Sequence, residues 1–165
     1  MVYTRMESPV GRLVLVRDEA GLRQVWFAEG RRAEIVKKDW REDKAAFVEA
    51  VRQLRAYFAR ELREFDVELA PVGTEFQLRV WRELRRIGYG ETISYGDLAR
   101  RVGNAKAARA VGLANGSNPL PIIVPCHRVI GGDGSLTGFG GGLPMKKWLL
   151  ELERGQGRLI YSGAS

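Results

Sequence analysis

Residues 120–131 of the chain read LPIIVPCHRVIG, and Cys126 within them is the only cysteine among 165 residues. The apolar, proline-punctuated pattern predicts a buried strand over 120–130. A buried lone cysteine usually acts as a small hydrophobic residue. Here the adjacent His127 is able to accept the thiol proton, directly or through a water, and leave a nucleophilic thiolate. A core histidine is the alternative, because neighbouring strand residues point to opposite faces and contact requires a bend or a water.

Three helices are predicted upstream of this strand. Thr74 is a suitable N-cap for the first helix, which Gly88 ends. The core stripe of that helix comprises Phe76, Val80, Leu84 and Ile87. Ser94 begins a second helix, which covers 95–102. The third helix covers 105–115 and is rich in alanine.

The alanine-rich helix has two faces of different character. Helical projection gives a core-like face of Ala107, Ala110, Val111 and Ala114. The opposite face has almost no side-chain bulk and comprises Ala105, Ala108, Arg109, Gly112 and Gly116. Such a face permits the close approach of another backbone. We interpret the partner either as a protein neighbour or as a nucleic-acid groove, with Arg109 reaching between bases.

A last helix is predicted after the glycine-rich loop 131–142, with Pro144 in its first turn. Its buried arc comprises Met145, Trp148, Leu149 and Leu152. Glu153 falls at the edge of this arc and must find a partner, because an unpaired buried charge is unfavourable. His127 is the candidate, since a carboxylate on one ring nitrogen fixes the tautomer and leaves the other nitrogen for the thiol. A backbone cap, or an ion pair with an arginine such as Arg128, stays open as the alternative.

The first half of the chain predicts a small antiparallel sheet with one helix. Two β-type runs, 12–16 and 22–27, follow the turn-forming stretches 8–11 and 18–21. An amphipathic helix is predicted over 44–62, to pack against the sheet. Its apolar stripe comprises Phe47, Val51, Leu54, Tyr57 and Phe58.

A strand-like run at 65–69 ends the first half, and residues 71–73, Pro-Val-Gly, are typical of a hinge. We therefore predict two domains, 1–73 and 74–165. The fold class is α+β. A small N-terminal antiparallel sheet-plus-helix domain precedes a mostly helical C-terminal domain. A family resemblance over residues 95–153 implies that this second domain carries a helix-turn-helix and the active-site loop.

Composition limits the partners of the chain. Lys and Arg outnumber Asp and Glu by 27 to 20, a net charge of +7. That excess fits a polyanion such as nucleic acid, or simply a basic solvated surface. One cysteine excludes an internal disulfide and, with one histidine, cannot complete an ordinary zinc site. Because the chain has so few Cys and His residues, we expect no metal and a reducing, cytoplasmic setting. No run of about 18 apolar residues occurs, so we expect no membrane segment.

Residues 95–153 closely resemble the C-terminal domain of the O6-alkylguanine-DNA alkyltransferases. The resemblance is carried by specific motifs in a fixed order: AARAVG at 107–112, NP at 118–119, IVPCHRVIG at 123–131, GGG at 140–142 and LLELE at 149–153. It continues upstream through GTEFQ at 73–77 and IGYGET at 87–92. Residues 1–70 match the family only loosely.

The resemblance implies an alkyl-transfer site centred on Cys126. Cys126 is then the alkyl acceptor, which attacks the O6-alkyl carbon in line and displaces guanine. His127 deprotonates the thiol through a bridging water, Glu153 orients His127, and Asn118 supports this network and its loop. The product is a thioether that nothing in the chain reverses, which implies one turnover per molecule.

The resemblance also assigns residues that contact DNA. Arg109 enters the duplex and fills the space left by the target nucleotide, with Ala108 and Gly112 on the DNA side of the same helix. Tyr95 rotates the backbone phosphate during flipping and donates a hydrogen bond to the base. From the residues alone, Tyr95 is an ordinary aromatic at the start of a helix.

The implied base pocket uses the backbone carbonyls of Cys126 and Val129 and the amide of Gly140, with Phe139 as an apolar wall. Two positions depart from the family pattern. Phe139 stands where members often have tyrosine, which removes a hydroxyl hydrogen bond, and Gly140 stands where they often have serine. The zinc ligands of some members have no counterpart in this chain.

The implied partner is double-stranded DNA containing O6-alkylguanine, with O4-alkylthymine as a poorer substrate. No cofactor is implied, and we expect a monomer, with cooperative binding to DNA left open. Three alternatives compete with this hypothesis. A non-enzymatic lesion sensor of similar fold lacks the cysteine, and a thiol hydrolase built on Cys126 and His127 needs an oxyanion hole. The third is a basic DNA-binding module whose cysteine is merely buried.

Overall fold

The computed structural model of the protein describes residues 1–28 and 36–155. The chain divides into two compact units, Met1–Pro71 and a second that begins at Val72. This division falls within the predicted hinge, and residues 156–165 of the predicted second domain lie outside the described residues. Within the described ranges, none of the helices combines the length and the apolar character that a bilayer span requires.

The first unit is built on a sheet with the strand order β3-β2-β1-β4. The strands are β1 Val2–Ser8, β2 Gly11–Asp18, β3 Gly21–Phe27 and β4 Arg41–Glu42. β2 and β3 contain the two predicted runs and pair antiparallel, as predicted. β1 was not predicted as a strand; it pairs antiparallel with β2, and β4 pairs in parallel with β1. Gly21 is required at its turn, because its φ is +144° and an added Cβ would lie 2.7 Å from the carbonyl oxygen of Glu68.

The helix predicted over 44–62 forms in two pieces. A 3-10 helix, Lys44–Phe47, leads into α1, Val48–Phe58. Arg60 adopts a left-handed conformation, with a φ of 62°, so the helix ends earlier than predicted. Three members of the predicted stripe are fully buried: Phe47, Leu54 and Tyr57.

The strand predicted at 65–69 is wrong. Among the described residues, this segment makes only an isolated bridge, between Leu69 and Leu22. The side chain of Gln53 accepts a hydrogen bond from the amide of Asp66 at 2.8 Å and donates one to its carbonyl at 2.9 Å. A buried glutamine therefore takes the backbone groups that a neighbouring strand would otherwise pair.

The second unit is mostly helical, as predicted. Its helices are α2 Glu75–Leu84, α3 Tyr95–Arg101, α4 Ala108–Gly116 and α5 Leu143–Glu153. Thr74 and Ser94 are the N-caps of α2 and α3, as predicted, and each belongs to a capping box. The connection 102–107 joins α3 to α4, which begins later than predicted because Asn104 holds a turn by accepting hydrogen bonds from Lys106 and Ala107.

The buried face of α4 differs in part from the predicted one. Val111 and Ala114 are buried as predicted, but Ala110 is exposed and Asn115 is buried in its place. The indole of Trp81 on α2 fixes this orientation by donating a hydrogen bond to the carbonyl of Ala114 at 2.8 Å. The core-like face therefore lies one position further along the helix than the projection indicated.

The strand predicted over 120–130 is also wrong except at its end. Only Val129–Ile130 is extended, as β6, and it pairs in parallel with β5, Ile93–Ser94. The prolines of the segment cannot donate to a ladder, and the backbone turns at Ile122, whose φ is 75°. Cys126–Arg128 forms a 3-10 helix. This turn supplies the bend that a strand lacks between the cysteine and the histidine.

Candidate active site

Cys126 is buried, with 6% of its surface exposed, at the first position of the 3-10 helix Cys126–Arg128. Asn118 holds the segment in front of it. The amide of Asn118 donates to the carbonyl of Val124 at 2.8 Å, and its oxygen accepts from the amide of Leu120 at 3.0 Å. Asn118 thus ties the backbone around the cysteine, as the sequence predicts for an Asn-Pro turn.

The thiol of Cys126 requires a base. Burial raises the pKa of the Cys126 thiol, and a hydrogen bond from Asn118 and the charge of Lys146 only partly oppose this rise. The sulfur therefore carries its proton at neutral pH, and a neighbouring group has to remove that proton before the sulfur acts as a nucleophile.

The partner predicted for Glu153 is present. Nε2 of His127 lies 2.6 Å from Oε2 of Glu153, and both side chains are fully buried. The arginine alternative is present as well, because Arg128 donates to the same carboxylate from Nε at 2.8 Å and from Nη2 at 3.0 Å. The amide of Gly90 adds a backbone contact at 3.3 Å. Glu153 thus binds every class of partner that the sequence left open.

Burial, which outweighs the charge of Glu153, sets the protonation of the imidazole. Burial alone would raise the pKa of Glu153, but the hydrogen bonds and charges of His127 and Arg128 outweigh it and lower the pKa. Burial lowers the pKa of His127, against the pull of Glu153. A neutral imidazole then donates from Nε2 to the carboxylate and leaves Nδ1 as a proton acceptor. Among the described residues, no protein group hydrogen-bonds Nδ1.

A buried cation that the sequence analysis missed lies on α5. Lys146 is 0% exposed, and its Nζ donates to the carbonyls of Val129 at 2.6 Å and Thr137 at 2.7 Å. The hydroxyl of Tyr95 donates to the same Thr137 carbonyl at 3.1 Å. Burial lowers the pKa of Lys146 to about 8. Its position three residues before Leu149, on the buried side of the helix, was the available signal.

Two further polar residues of the site were not predicted as members. Arg128 is buried and also donates from Nη1 to the carbonyl of Ile87 at 2.6 Å. Asn115, near the end of α4, is 2% exposed and donates to the backbone carbonyl of Cys126 at 3.3 Å. No sequence signal singled out Asn115, because helical projection placed other residues on the core face.

Of the residues predicted to contact DNA, those at the start of α4 are not part of the buried cluster, whereas Tyr95 shares the Thr137 carbonyl with Lys146. Arg109 lies in the first turn of α4 and is exposed, and Ala108 beside it is half-buried. Gly112 packs on the ring of Tyr95, where an added Cβ would lie 3.8 Å from Cδ1. Tyr95 therefore connects α4, through its ring, to the Thr137 carbonyl, through its hydroxyl.

The loop that carries Phe139 and Gly140 leads into α5. Phe139 is half-buried, and its carbonyl accepts from the amide of Gly142 at 3.0 Å. Gly140 is exposed, and a Cβ added there would meet nothing within 4 Å. Val129 is fully buried, and its carbonyl already accepts from Lys146. Among the residues that the structure describes, no group of three His, Cys, Asp or Glu side chains is arranged to hold a metal ion.

The sequence matches two family profiles that together cover most of the chain. Residues 1–71 match the ribonuclease-like domain of 6-O-methylguanine DNA methyltransferase, and residues 75–155 match its DNA binding domain. A methylated-DNA–protein-cysteine methyltransferase of Methanosarcina acetivorans is 56% identical over 93% of this chain and 98% of the relative. Its counterpart in Mycobacterium tuberculosis is 54% identical over 92% of each chain.

Solved structures agree with these sequence matches. OGT of Mycobacterium tuberculosis in complex with DNA superposes with a TM-score of 0.87, at 52% identity and over 94% of each chain. An O6-methylguanine DNA methyltransferase of Methanococcus jannaschii superposes with a TM-score of 0.64, at 28% identity, over 98% of this chain and 99% of the other. The family profiles, the curated relatives and the solved structures all indicate the same family. The chain therefore belongs to the 6-O-methylguanine DNA methyltransferase family.

Proposed function

We propose that the protein repairs duplex DNA by moving the alkyl group from O6 of a flipped guanine to Sγ of Cys126. The observation that carries this proposal is the buried contact of 2.6 Å between His127 and Glu153, beside the only cysteine of the chain. This contact gives a neutral, oriented base next to a thiol whose raised pKa would otherwise keep it unreactive.

The alkyl transfer is a single displacement at the alkyl carbon. His127 takes the thiol proton through a water, and the sulfur attacks the alkyl carbon. The sulfur–carbon bond forms as the carbon–O6 bond breaks, and the electron pair leaves with guanine, which is then protonated. Glu153 stabilises the imidazolium, and Asn118 keeps the cysteine segment in place. The thioether product is stable, so each molecule reacts once.

Base flipping follows from the burial of the nucleophile. A thiol that is 6% exposed does not reach an O6 atom inside a duplex, so the nucleotide has to leave the helix. Arg109 is exposed at the start of α4 and fills the space left in the stack. Ala108 and Gly112 have little or no side chain, so this face of the helix is able to approach the minor groove closely. Tyr95 rotates the phosphate, and its hydroxyl, which donates to the Thr137 carbonyl in the free protein, turns to donate a hydrogen bond to the base.

The flipped base is read mainly by backbone groups. The carbonyls of Cys126 and Val129 accept from its amino group, the amide of Gly140 donates to it, and Phe139 forms an apolar wall. O4-alkylthymine is a poorer substrate, because a pyrimidine fills less of a pocket sized for guanine. The protein acts as a monomer on DNA and works in the cytoplasm, where a reducing environment keeps the thiol free.

Intact-mass measurement tests this proposal. The protein is incubated with duplex DNA that contains a single O6-methylguanine. We expect a gain of one methyl group on Cys126, saturating at one per chain, and no gain in Cys126→Ala. Unmodified wild-type protein that still binds the damaged duplex would instead identify a lesion sensor. Duplexes with O4-methylthymine, reacted in parallel, give the relative rate for the second lesion.

A further inference from the structure

Two residues that adjoin Cys126, one in the chain and one through a hydrogen bond, each have a buried polar atom with no hydrogen-bond partner within the described ranges. One is Nδ1 of His127, and the other is Oδ1 of Asn115. Asn115 contacts Cys126 through its other amide atom, Nδ2, which donates to the Cys126 carbonyl at 3.3 Å. Because a carbonyl only accepts, this contact fixes which end of the amide faces the backbone and which end is left as an acceptor.

A relay water has specific requirements. If it accepts the thiol proton and passes one of its own to Nδ1 of His127, its second hydrogen still points into a buried site. A buried water usually makes about three hydrogen bonds, so that hydrogen needs an acceptor of its own. Glu153 already accepts hydrogen bonds from His127, Arg128 and the amide of Gly90, and the Cys126 carbonyl, which accepts from Asn115, is assigned to the amino group of the flipped base. The free oxygen of Asn115 meets this need.

We propose that Asn115 is a positioning residue that, with His127, holds the water through which the thiol proton of Cys126 leaves. This inference is based on the proposed alkyl transfer and adds one residue to it. Asn115 acts twice: Nδ2 holds the carbonyl of the nucleophilic residue, and Oδ1 holds the second hydrogen of the water. The end of α4 thus contributes to the chemistry, while its beginning carries Arg109.

Other charged groups around the thiol set the background against which this effect is measured. Lys146 on α5 acts on the Cys126 sulfur through its positive charge, and His127 is the adjacent base. Glu153 and Arg128 act on the sulfur through His127. None of these groups changes when Asn115 is replaced by an uncharged residue, so a changed pH profile reports on the relay.

The test uses benzyl transfer from free O6-benzylguanine, which does not depend on DNA binding. Asn115→Leu keeps the size of the side chain and removes both polar atoms. We expect transfer about tenfold slower than in the wild type near pH 7, the equivalent of one hydrogen bond. The deficit shrinks as the pH rises towards the raised pKa of the Cys126 thiol, because hydroxide then removes the thiol proton without the relay. Ser117→Ala, at the same helix end, is the control and leaves the profile unchanged.

The outcomes separate two failures. A wild type that takes neither a benzyl group from the free base at any pH nor a methyl group from the O6-methylguanine duplex overturns the alkyl-transfer proposal itself. A reactive wild type with an Asn115→Leu deficit that is absent, or equal at every pH, overturns the role of Asn115 alone. If Asn115→Leu does not fold, Asn115→Ala carries the test. Its deficit is then a few-fold near pH 7, since the space admits a second water, and it must vanish at high pH in the same way.

Discussion

Nε2 of His127 lies 2.6 Å from a carboxylate oxygen of Glu153 on α5, although 26 positions separate the two residues in the chain. The same carboxylate receives two hydrogen bonds from Arg128. One glutamate therefore orients the base and neutralises a buried guanidinium. Its replacement should affect both reactivity and stability.

Glu153→Gln is expected to slow alkyl transfer by about a hundredfold or more, because the amide no longer fixes the imidazole tautomer. The variant should also lose about 3–5 kcal/mol of unfolding free energy, because Arg128 remains buried without its counter-charge. Single-turnover kinetics and urea unfolding measure the two effects. Glu151→Gln, at a half-buried position of the same helix outside the cluster of His127, Arg128 and Glu153, is the control and should change neither.

Acidification should destabilise the protein through His127 and Glu153. The pKa of His127 is lowered in the folded state, so below about pH 6.5 the unfolded chain takes up a proton that the folded protein does not. The pKa of Glu153 is lowered too, and the same imbalance adds below its ordinary value of 4.5. The free energy of unfolding therefore decreases as the pH is lowered through each of these two ranges.

Urea unfolding between about pH 4 and 8 measures this dependence. His127→Asn should remove the part of the slope that lies near pH 6, while a fall below pH 4.5 remains because Arg128 still lowers the pKa of Glu153. A wild type that becomes more stable on acidification would contradict the assignment of a neutral, buried imidazole.

Lys146→Met should slow transfer from duplex DNA and from free O6-benzylguanine alike, by about tenfold. The variant loses two hydrogen bonds, to the Val129 and Thr137 carbonyls, and one positive charge near Cys126. DNA affinity should stay the same, because Lys146 is buried. Lys147→Met, at the exposed neighbouring position, is the matched control. A defect confined to duplex DNA would assign Lys146 to DNA contact instead.

Arg109→Ala should slow alkyl transfer from duplex DNA far more than it slows benzyl transfer from free O6-benzylguanine. The arginine is exposed at the start of α4 and has no part in the buried network, so the free base does not need it. Rates on both substrates, compared with those of the exposed Arg101→Ala on α3, measure the difference. Equal losses on the two substrates would remove the role of Arg109 in flipping.

Gly140→Ser restores the residue that relatives often carry, and it should fold normally. The added Cβ meets nothing within 4 Å, so we expect a change in unfolding free energy of no more than about 0.5 kcal/mol.

Phe139→Tyr restores the missing hydroxyl and should raise the rate of benzyl transfer from free O6-benzylguanine. A double variant that reacts no faster than the wild type would show that neither position limits binding of the base.

Local signals predicted much of the fold because they depend on a few neighbouring residues. Thr74 and Ser94 cap their helices as expected, and the turns before Gly11 and Gly21 bound the predicted strands. The strand at 120–130 failed because apolar burial there comes from turns between prolines, which hydropathy does not distinguish from a ladder. The 3-10 helix Cys126–Arg128 replaces that strand and supplies a bend of the kind that contact between Cys126 and His127 requires.

The candidate site was predicted where charge had to be satisfied. Glu153 on a buried arc required a partner, and the structure supplies His127 and Arg128. The same reasoning applied to Lys146 would have found a second buried charge, but its partners are backbone carbonyls that have no sequence signature. Asn115 depended on the rotation of α4, which Trp81 sets from another helix, so the helix alone did not predict it.

The pairing of β5 with β6 has a consequence for evolution of the site. Ser94, the cap of the helix that starts with Tyr95, is aligned with Ile130, and Ile93 is aligned with Val129. Backbone bonds therefore set the spacing between Tyr95 and the nucleophilic turn, independently of side-chain identity. Substitutions are free to alter reactivity while this spacing persists. A one-residue insertion between Arg128 and Val129 would instead shift the register of this pairing by one residue. Such a shift would separate Tyr95 from the nucleophilic turn in a single event.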